Sequence, residues 1–367
     1  MIQVLDAGRH EVVITSSVGE ALTDVFQSLD ISGTKVFVLT DTNTHQHCLP
    51  ILTNDLPKGF HQLVIGSGEL NKNLHTCKIL WEQLLKAGAD RQSIIINLGG
   101  GMVSDIGGFV ASTYMRGIPF VNVSTSLLGM VDASTGGKTG IDIDFYKNMV
   151  GVFAFPEKVI VSPVFLNTLP DHEWRCGVAE MIKHGLIADE FLWNNLVSVL
   201  SDEGHHQLSD KFKNEIIDNL YSSIKVKADI VKSDPFEKNE RKFLNFGHTI
   251  GHAIESVSLK NDDHPLSHGE AVAIGMICES YISSHVSGLE KSELITIAKT
   301  ISGFYINQHI KKNQFTEIYR VMRSDKKSHK DAIAMALLKA IGDPVIYNDV
   351  PQELILDSFH FYNGLLQ

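Results

Sequence analysis

Residues 93–117 read SIIINLGGGMVSDIGGFVASTYMRG and predict a buried strand, a glycine turn and a helix in immediate succession. The isoleucine run at 94–96 has the β-branched composition of a strand that is covered on both faces. Glycines at such a turn let a pyrophosphate approach the backbone, and the helix N-terminus favours its negative charge. A tight turn without a ligand is the alternative. The common dinucleotide fingerprint GxGxxG is incomplete, because position 104 is serine.

The same alternation of strand and helix extends on both sides of this stretch. Short apolar runs predict strands at 35–40, 62–65 and 120–123, and helical spacing predicts helices at 74–87 and 103–113. Strands separated by helices of roughly 10–15 residues are typical of βαβ units in a parallel sheet. Ligands on such sheets bind at the carboxyl ends of the strands.

The period of the apolar residues changes after about residue 165. A repeat of three to four residues between Phe212 and Val231 predicts one long amphipathic helix. Further helices are expected at 248–257, 269–284 and 291–301. The sequence therefore predicts an α/β chain in two domains, a parallel-sheet domain at 1–165 and a mostly α-helical domain at 166–367.

Composition restricts the class of protein. The 367 residues are 43% hydrophobic and 20% charged, and the formal net charge of −11 argues against a non-specific nucleic-acid binder. The four cysteines are far apart, which predicts free thiols in a reducing cytoplasm. No uncharged stretch reaches the roughly 18 residues of a membrane span. We therefore expect neither nucleic acid nor a membrane as a partner.

A second glycine-rich segment contains GGKT at 136–139. A Walker A loop is excluded, because its first glycine would stand where the chain has Asp132. Asp132, Lys138, Lys147 and Asn148 are then predicted to lie in a loop. Lysines in such a loop suit phosphate as point charges, and a solvated loop explains them equally well.

Two histidines lie at i and i+4 in the segment 241–255, RKFLNFGHTIGHAIE. His248 and His252 therefore share one face of a predicted helix. His268 follows at the start of another helical pattern, and Glu180 lies on a predicted helix upstream. Imidazole and carboxylate ligands on facing helices can form a zinc site of the open, catalytic type. Spacing nominates His248 and His252 together and leaves the other ligands open.

Basic residues accumulate near these helices in an otherwise acidic chain. The residues concerned are Lys225, Lys227, Lys232, Arg241, Lys326 and Lys327. Several cations near a candidate metal helix indicate a doubly anionic substrate. Solvated helix faces are the alternative for each of them taken singly.

Together these motifs resemble the 3-dehydroquinate synthase family. The resemblance runs from GGGMVSDIGGFVASTYMRG at 99–117 through STSLLGMVDASTGGKTGID, KNMVG, GVAEMIKHGLI and LNFGHTIGHAIE to HGEAVAIGM at 268–276. The segments occur in order and, with the stretches between them, cover about half of the chain. The resemblance implies a Rossmann-like NAD-binding domain, a helical domain that binds metal and substrate, and an active site in the cleft between them.

The resemblance also implies an activity. Members convert 3-deoxy-D-arabino-heptulosonate 7-phosphate into 3-dehydroquinate and phosphate, a carbon–oxygen lyase reaction of the shikimate pathway of aromatic amino acid biosynthesis. The implied route is transient oxidation by NAD, β-elimination of phosphate, reduction, ring opening and an intramolecular aldol reaction. The carboxylate and the phosphate of this substrate would account for the basic residues. A cytoplasmic homodimer is also implied.

Individual residues receive roles from the resemblance alone. The implied metal ligands are Glu180, His248 and His268, around zinc or alternatively cobalt, so that His252 becomes a substrate-side residue. The implied catalytic residues are Asp132, Lys138, Lys183, Lys227, Arg241, Asn245 and His252. The implied substrate-binding residues are Arg116, which would reach into the neighbouring subunit's site, Lys147, Asn148, and one of Lys326 and Lys327. The implied NAD-binding residues are Asp41, Glu69, Lys72, Gly99, Gly100, Gly101, Asp105, Thr125 and Thr168.

Two departures from the family pattern are small, and three alternative functions stay open. Tyr146 stands where many members have glycine, and Ser124-Thr125-Ser126 replaces a more usual Pro-Thr-Thr, without loss of a functional group. One alternative is another sugar-phosphate cyclase, of the valiolone or deoxy-scyllo-inosose type, against which Arg241 argues. The others are an iron-dependent alcohol or glycerol dehydrogenase and a non-enzymatic binding protein on the same fold.

Overall fold

The computed structural model describes residues 2–29, 33–143, 146–203, 207–305, 308–325 and 333–366. The chain forms two compact units. The first comprises Met1–Trp174 and Lys227–Phe236, and the second comprises Arg175–Val226 and Glu237–Gln367. The short segment 227–236 therefore belongs to the unit that is built mainly from the first half of the chain.

A seven-stranded sheet forms the centre of the first unit. The strands of this unit are β1 Ile2–Asp6, β2 Glu11–Thr15, β3 Val36–Asp41, β4 His61–Ile65, β5 Ile94–Gly99, β6 Phe120–Ser124, β7 Lys138–Ile143, β8 Tyr146–Phe153 and β9 Lys158–Val161. The order in the sheet is β1-β2-β9-β6-β5-β3-β4. Neighbouring strands are parallel except β1 and β2. The predicted parallel sheet is confirmed.

Helices cover the parallel strands of this sheet. They are α1 Val18–Ser28, α2 Thr42–His47, α3 Leu49–Leu52, α4 Leu74–Lys86 and α5 Gly101–Thr113. Phe37 and Ile95 of the sheet, Leu80 of α4 and Ile106 of α5 are buried in one hydrophobic core. The strands and helices predicted for this half are present, with bounds shifted by at most two residues.

The second glycine-rich segment is not a loop as predicted. Strands β7 and β8 pair there as an antiparallel hairpin, with Lys138 opposite Phe153. Lys138, Lys147 and Asn148 therefore lie on strands. Sequence patterning missed the hairpin because its glycines, Gly140 and Gly151, face each other across the ladder and weaken the strand signal.

The second unit is mostly helical. Its elements are α6 Asp171–Ala188, α7 Glu190–Ser201, α8 Asp210–Asp218, α9 Leu220–Ser233, α10 His248–Asn261, α11 His268–Val286, α12 Lys291–Phe304, α13 Phe315–Asp325, β10 Ile333–Ala340, β11 Asp343–Val350 and α14 Gln352–Gly364. Helix α6 begins in the first unit, and α9 ends in it. The predicted α/β fold class is confirmed. None of the described helices is both long enough and apolar enough to cross a membrane.

The single long helix predicted between Phe212 and Val231 is wrong. The structure has two helices, α8 and α9, with a break at Asn219. The Asn219 side chain donates to the Glu215 carbonyl at 2.9 Å and accepts from Asn195 at 3.2 Å. Asparagine side chains that bond to the backbone compete with helix continuation, and the apolar period survives on both sides of such a break.

The hairpin β10–β11 was not predicted either. Strand β10 has an almost continuously buried, apolar sequence, IAMALLKA. Periodicity cannot distinguish a run of this kind from a buried helix segment. The Leu338 N–H of this strand donates to the Ser283 hydroxyl at 3.0 Å, which fastens the hairpin to α11.

Candidate functional site

The carboxyl ends of β3 and β5 lie side by side at one edge of the sheet. The chain leaves β3 for the outer strand β4 and returns to β5 on the other side of β3, which creates a topological switch point. Asp41 ends β3 and Gly99 ends β5. Open α/β sheets bind their ligands at such a point. Two of the predicted NAD-binding residues therefore lie where sheets of this class bind nucleotides.

The glycine turn at 99–101 packs closely against the segment that follows β6. The Gly99 carbonyl accepts from the Thr125 N–H at 3.0 Å, and a Cβ on Gly100 would lie 2.8 Å from the Ser126 hydroxyl. Gly100 is the N-cap of α5 and supplies no side-chain cap to it. The first N–H groups of α5 are therefore suited to donate hydrogen bonds to the oxygens of a pyrophosphate. The turn fits a dinucleotide.

Asp41 and Thr168 differ in how firmly the structure holds them. Asp41 Oδ1 accepts from the N–H groups of Asn43 and Thr44, both at 2.8 Å, so the Asp41 carboxylate caps the N-terminus of α2. Thr168 is exposed at the end of the 3₁₀ helix Pro163–Thr168. Within the described ranges no hydrogen bond joins Thr168 to the glycine turn.

Lys72 is the centre of an ionic cluster in the first unit and is only 3% exposed. Its Nζ lies 2.7 Å from Glu69 Oε1, 3.2 Å from Asp105 Oδ2 and 3.6 Å from Asp142 Oδ1. It also donates to Asn148 Oδ1 at 2.9 Å. Three predicted NAD-binding residues, Glu69, Lys72 and Asp105, are thus brought together with Asn148, a predicted substrate residue.

Asp142 and Lys147 complete this cluster. Lys147 Nζ lies 3.2 Å from Glu69 Oε1 and 3.6 Å from Asp142 Oδ2. The Asn148 N–H donates to Asp142 Oδ1 at 2.7 Å while Asn148 holds a left-handed backbone with φ +54°. Asp142 was missed at the sequence level, although it is the last residue of the quoted GGKTGID segment.

Two carboxylates of the cluster, Asp105 and Glu69, have pKa shifts in opposite directions. Burial raises the pKa of Asp105 to about 6, because the loss of hydration outweighs the attraction of Lys72. Burial acts in the same direction on Glu69, yet the charges of Lys72 and Lys147 outweigh it and lower the pKa of Glu69. Of these two carboxyls, Asp105 is therefore the one that changes charge closer to neutral pH.

We expect one aspartate carboxyl of the nucleotide-free protein to titrate near pH 6 in ¹³C NMR, and Asp105→Asn to remove that resonance. Because the pKa in the folded state exceeds the value of 3.8 for a free side chain, ionisation of Asp105 lowers stability as the pH rises from about 4 to about 6. The variant should lose this part of the pH dependence in urea unfolding. Asp90→Asn is the control, since the pKa of exposed Asp90 is lowered. Titration of every aspartate below about pH 5 would contradict the assignment.

Asp132 and Lys227 form a second pair of predicted catalytic residues in the first unit. Lys227 Nζ donates to Asp132 Oδ1 at 2.7 Å, although the two residues are far apart in sequence. Asp132 lies on a π-helical turn, Gly129–Ala133, a conformation that is frequent at functional sites. Lys227 is buried on α9, in the segment that returns to the first unit. Lys138 is exposed at the start of β7.

Arg116 lies in a strained turn of the first unit. Met115 and Arg116 have φ values of +49° and +70°, and Gly117 follows with φ +114°. Such conformations cost on the order of 1–3 kcal/mol for each non-glycine residue and cluster at functional positions. The turn leaves the Arg116 side chain exposed. The remaining predicted substrate residues, Lys326 and Lys327, lie outside the described residues.

In the second unit, three predicted metal ligands converge from three helices. Glu180 Oε1, on α6, lies 3.3 Å from Nε2 of His248 on α10 and 3.6 Å from Nε2 of His268 on α11. Glu180 is fully buried. One carboxylate oxygen and two imidazole nitrogens are a ligand set that zinc accepts, and three protein ligands leave a coordination position open.

The far side of each histidine ring is held as metal-binding histidines are held. His248 Nδ1 lies 3.1 Å from the Phe246 carbonyl oxygen, and His268 Nδ1 lies 3.1 Å from Glu255 Oε2. These acceptors require a proton on Nδ1 and leave Nε2 on the ligand side. Glu255 was missed at the sequence level, although it ends the quoted segment with both histidines. The residues fit a divalent metal.

The charge at this cluster favours a cation. Burial would lower the pKa of His268, but the carboxylates of Glu180 and Glu255 outweigh it and raise that pKa to about 10. A proton held so firmly between two carboxylates marks a position where positive charge is stabilised. A divalent metal takes the place of such protons when it binds.

His252 lies beside the same cluster. Ligand atoms of His248, His252 and His268 all lie within 4.8 Å of one another, so the three rings are an alternative ligand set. Burial, together with His248 and His268, lowers the pKa of His252 to about 3, so its ring is neutral at physiological pH. In the described part of the chain no hydrogen bond orients this ring, unlike those of the other two histidines.

Three further predicted catalytic residues lie in the second unit. Lys183 forms an ion pair with Glu180, one turn earlier on α6. Arg241 is 1% exposed and belongs to the 3₁₀ helix Glu240–Asn245. Asn245 ends that helix and donates to Glu237 Oε1 at 3.0 Å. Arg241 and Asn245, which could bind an anion or a hydroxyl, are thus carried by one 3₁₀ helix.

Two family models match consecutive parts of the chain. The 3-dehydroquinate synthase N-terminal model matches residues 62–176, and the 3-dehydroquinate synthase C-terminal model matches residues 177–328. The chain belongs to the 3-dehydroquinate synthase family.

Individual relatives agree with this family. A 3-dehydroquinate synthase from Parabacteroides distasonis is 39% identical over 356 residues, 96% of this chain and 98% of that one. A 2-deoxy-scyllo-inosose synthase, solved with carbaglucose-6-phosphate, NAD+ and Co2+, superposes with a TM-score of 0.80 at 23% identity over 98% of this chain and 99% of that chain. A 2-epi-5-epi-valiolone synthase from Streptomyces hygroscopicus subsp. jinggangensis 5008, with NAD+ and Zn2+ bound, also has a TM-score of 0.80, at 24% identity over 97% of each chain. At these identities the two structures support the fold.

Proposed function

We propose that this chain converts 3-deoxy-D-arabino-heptulosonate 7-phosphate into 3-dehydroquinate and inorganic phosphate, as a carbon–oxygen lyase. The observation that carries the proposal is the convergence of Glu180 Oε1 with Nε2 of His248 and of His268 in a chain of this family. A simple binding protein has no need of a buried carboxylate held between two oriented histidines.

Two groups are proposed as cofactors, NAD and one divalent metal, zinc or cobalt. When bound, NAD accepts a hydride from a substrate carbinol and returns it later, and the metal acts as a Lewis acid that makes a substrate hydroxyl more acidic. The metal would be held by Glu180, His248 and His268. NAD would be held by Asp41, Glu69, Lys72, Gly99, Gly100, Gly101 and Asp105, with Thr125 and Thr168 as further contacts.

Side chains of the chain itself would bind and orient the substrate. The buried guanidinium of Arg241 offers the planar geometry that a carboxylate requires, and Asn245 offers an amide at the end of the same 3₁₀ helix. Lys138 would bind the phosphate, where its ammonium stabilises the charge that grows as the C–O bond breaks. Neutral His252 would donate or accept a hydrogen bond without adding charge.

The remaining residues of the site would act through position. Lys227 and Asp132 form an ion pair. Once the Lys227 ammonium contacts the substrate instead, the Asp132 carboxylate can accept a proton from a substrate hydroxyl. Lys183 would hold Oε2 of Glu180, so that Oε1 stays directed at His248 and His268. Lys147, Asn148 and one of Lys326 and Lys327 would contact substrate.

The proposal extends to assembly and compartment. We infer a homodimer in which the strained turn at Met115 and Arg116 presents Arg116 to the neighbouring subunit's site. We also infer a cytoplasmic enzyme, because Cys48, Cys77, Cys176 and Cys278 are all free and buried thiols.

The test is a paired assay on metal-loaded protein with the seven-carbon phosphate substrate and a catalytic amount of NAD. We expect stoichiometric phosphate release without accumulation of NADH, because the hydride is returned in every turnover. A chelator should abolish the release, and added Zn2+ or Co2+ should restore it. Absence of phosphate from this substrate would redirect the assignment to another sugar-phosphate cyclase. Accumulation of NADH with a simple polyol would identify a dehydrogenase instead.

A further inference from the structure

Helix α10, which carries His248 and His252, begins without a cap from its own chain segment. Its N-cap is Gly247, with a left-handed φ of +80°. Helices usually begin at a serine, threonine, aspartate or asparagine whose side chain accepts from one of the first free N–H groups. Glycine has no such side chain, so the N–H groups that flank His248 require an acceptor from elsewhere.

Glu279, on the neighbouring helix α11, supplies that acceptor. Its Oε2 accepts from the Gly247 N–H at 2.6 Å, and its Oε1 accepts from the Ile250 N–H at 3.0 Å. Both bonds lie in the interior, since Glu279 is fully buried. A negative charge at a helix N-terminus is favoured by the helix dipole, and burial strengthens that interaction. One carboxylate therefore fixes the backbone on both sides of His248.

Close packing of α10 and α11 makes this reach possible. A Cβ on Gly275 would lie 1.9 Å from the Gly247 carbonyl oxygen, and a Cβ on Gly247 would lie 2.4 Å from Met276 Cγ. Gly275 stands one helical turn before Glu279, so the same contact that brings the two backbones together brings the carboxylate to the start of α10. Helix α11 also begins with His268.

We propose that Glu279 is a positioning residue for the metal ligand His248. Helix α11 thereby sets the positions of two proposed metal ligands. It carries His268 itself, and through Glu279 it anchors the first turn of α10, which carries His248. The inference rests on the proposed metal site. It adds that the site's geometry depends on a buried carboxylate outside the proposed ligand set.

The test measures metal affinity in Glu279→Gln and Glu279→Ala. Glutamine keeps the length of the side chain but turns an NH2 group toward one of two N–H donors, and alanine removes both acceptors. We expect the Kd for Zn2+, measured by competition with a chelator, to rise about tenfold or more in both variants, as for other residues that support metal ligands. The absorption spectrum of the Co2+-loaded variants should change as well.

Asp189→Ala is the matched control. Asp189 Oδ1 accepts from the Leu192 N–H at 2.9 Å and caps α7, a helix of the same unit without any proposed site residue. This variant should lower Tm while the Kd for Zn2+ stays at the wild-type value. A wild-type Kd and Co2+ spectrum in folded Glu279→Gln would overturn the proposal.

Hydrogen exchange on the metal-free wild-type protein tests the same inference without a variant. The amides of Gly247 and Ile250 should exchange at least tenfold more slowly than the His248 amide, which donates to no acceptor among the described residues. Equal rates at the three amides would overturn the proposal. If wild-type protein bound no Zn2+, or if His248→Ala bound it normally, the proposed metal site would fail instead, and the two failures are thereby distinguished.

Discussion

Replacing His248 with alanine is expected to abolish stoichiometric metal binding and to lower the rate of phosphate release by about 1,000-fold, equivalent to about 4 kcal/mol of transition-state stabilisation. His248 Nε2 lies 3.3 Å from Glu180 Oε1, and its Nδ1 is oriented by the Phe246 carbonyl. Without this ring, the metal keeps only two of its three proposed ligands. Metal content by atomic absorption and phosphate release, measured on the same preparation, check the prediction.

His252→Ala is the matched control, one helical turn away on the same helix. If Glu180, His248 and His268 are the ligands, this variant should retain its metal and lose only turnover. Loss of metal in His252→Ala would instead assign the ligand set to the three histidines, whose ligand atoms lie within 4.8 Å of one another. Retention of metal in His248→Ala would contradict both sets.

Lys72→Met is expected to destabilise the first unit by about 3 kcal/mol at neutral pH and to weaken NAD binding by more than about tenfold. Lys72 is buried among Glu69, Asp105 and Asp142, so its loss leaves three carboxylates without their central cation. The pKa of Asp105, already raised to about 6, should rise further. The stability deficit should therefore be largest above about pH 7 and shrink as the pH falls below the raised pKa of Asp105.

Urea unfolding across this pH range and calorimetric titration with NAD provide the measurements. Lys147→Met is the control within the same cluster. Lys147 is more exposed and lies 3.2 Å from Glu69 and 3.6 Å from Asp142, so its removal should cost less than about 1 kcal/mol. Equal stability losses in the two variants would show that burial of Lys72 is not the source of the effect.

The sequence was sufficient for the features that depend on neighbouring residues. The isoleucine run at 94–96, the glycines after it and the apolar period of α4 and α5 predicted the parallel sheet and the glycine turn that follows β5. The spacing of His248 and His252 placed both rings on one helix face. Short-range features of this kind are readable because side-chain direction repeats every two residues in a strand and about every 3.6 in a helix.

The hydrophobic pattern of the sequence did not reveal two local features, a helix break and a hairpin. The break between α8 and α9 depends on bonds from the Asn219 side chain, and the apolar period continues across it. The hairpin β7–β8 is held by cross-strand pairing between glycine-containing segments. The helix break leaves the hydrophobic period intact, and the glycines of the hairpin weaken the strand pattern, so neither feature was visible in the sequence.

The contacts that assemble the site were decided by tertiary structure. Spacing nominated His248 and His252 and left the other metal ligands open. Resemblance to the family replaced His252 with His268 and added Glu180, and the packing of α6, α10 and α11 places the Glu180 carboxylate against His248 and His268. The contact of Lys227 with Asp132 and that of Glu279 with the start of α10 join residues far apart in the chain. Such pairs carry no periodic signal, because their proximity arises only when buried helices pack and the desolvated charges must find partners.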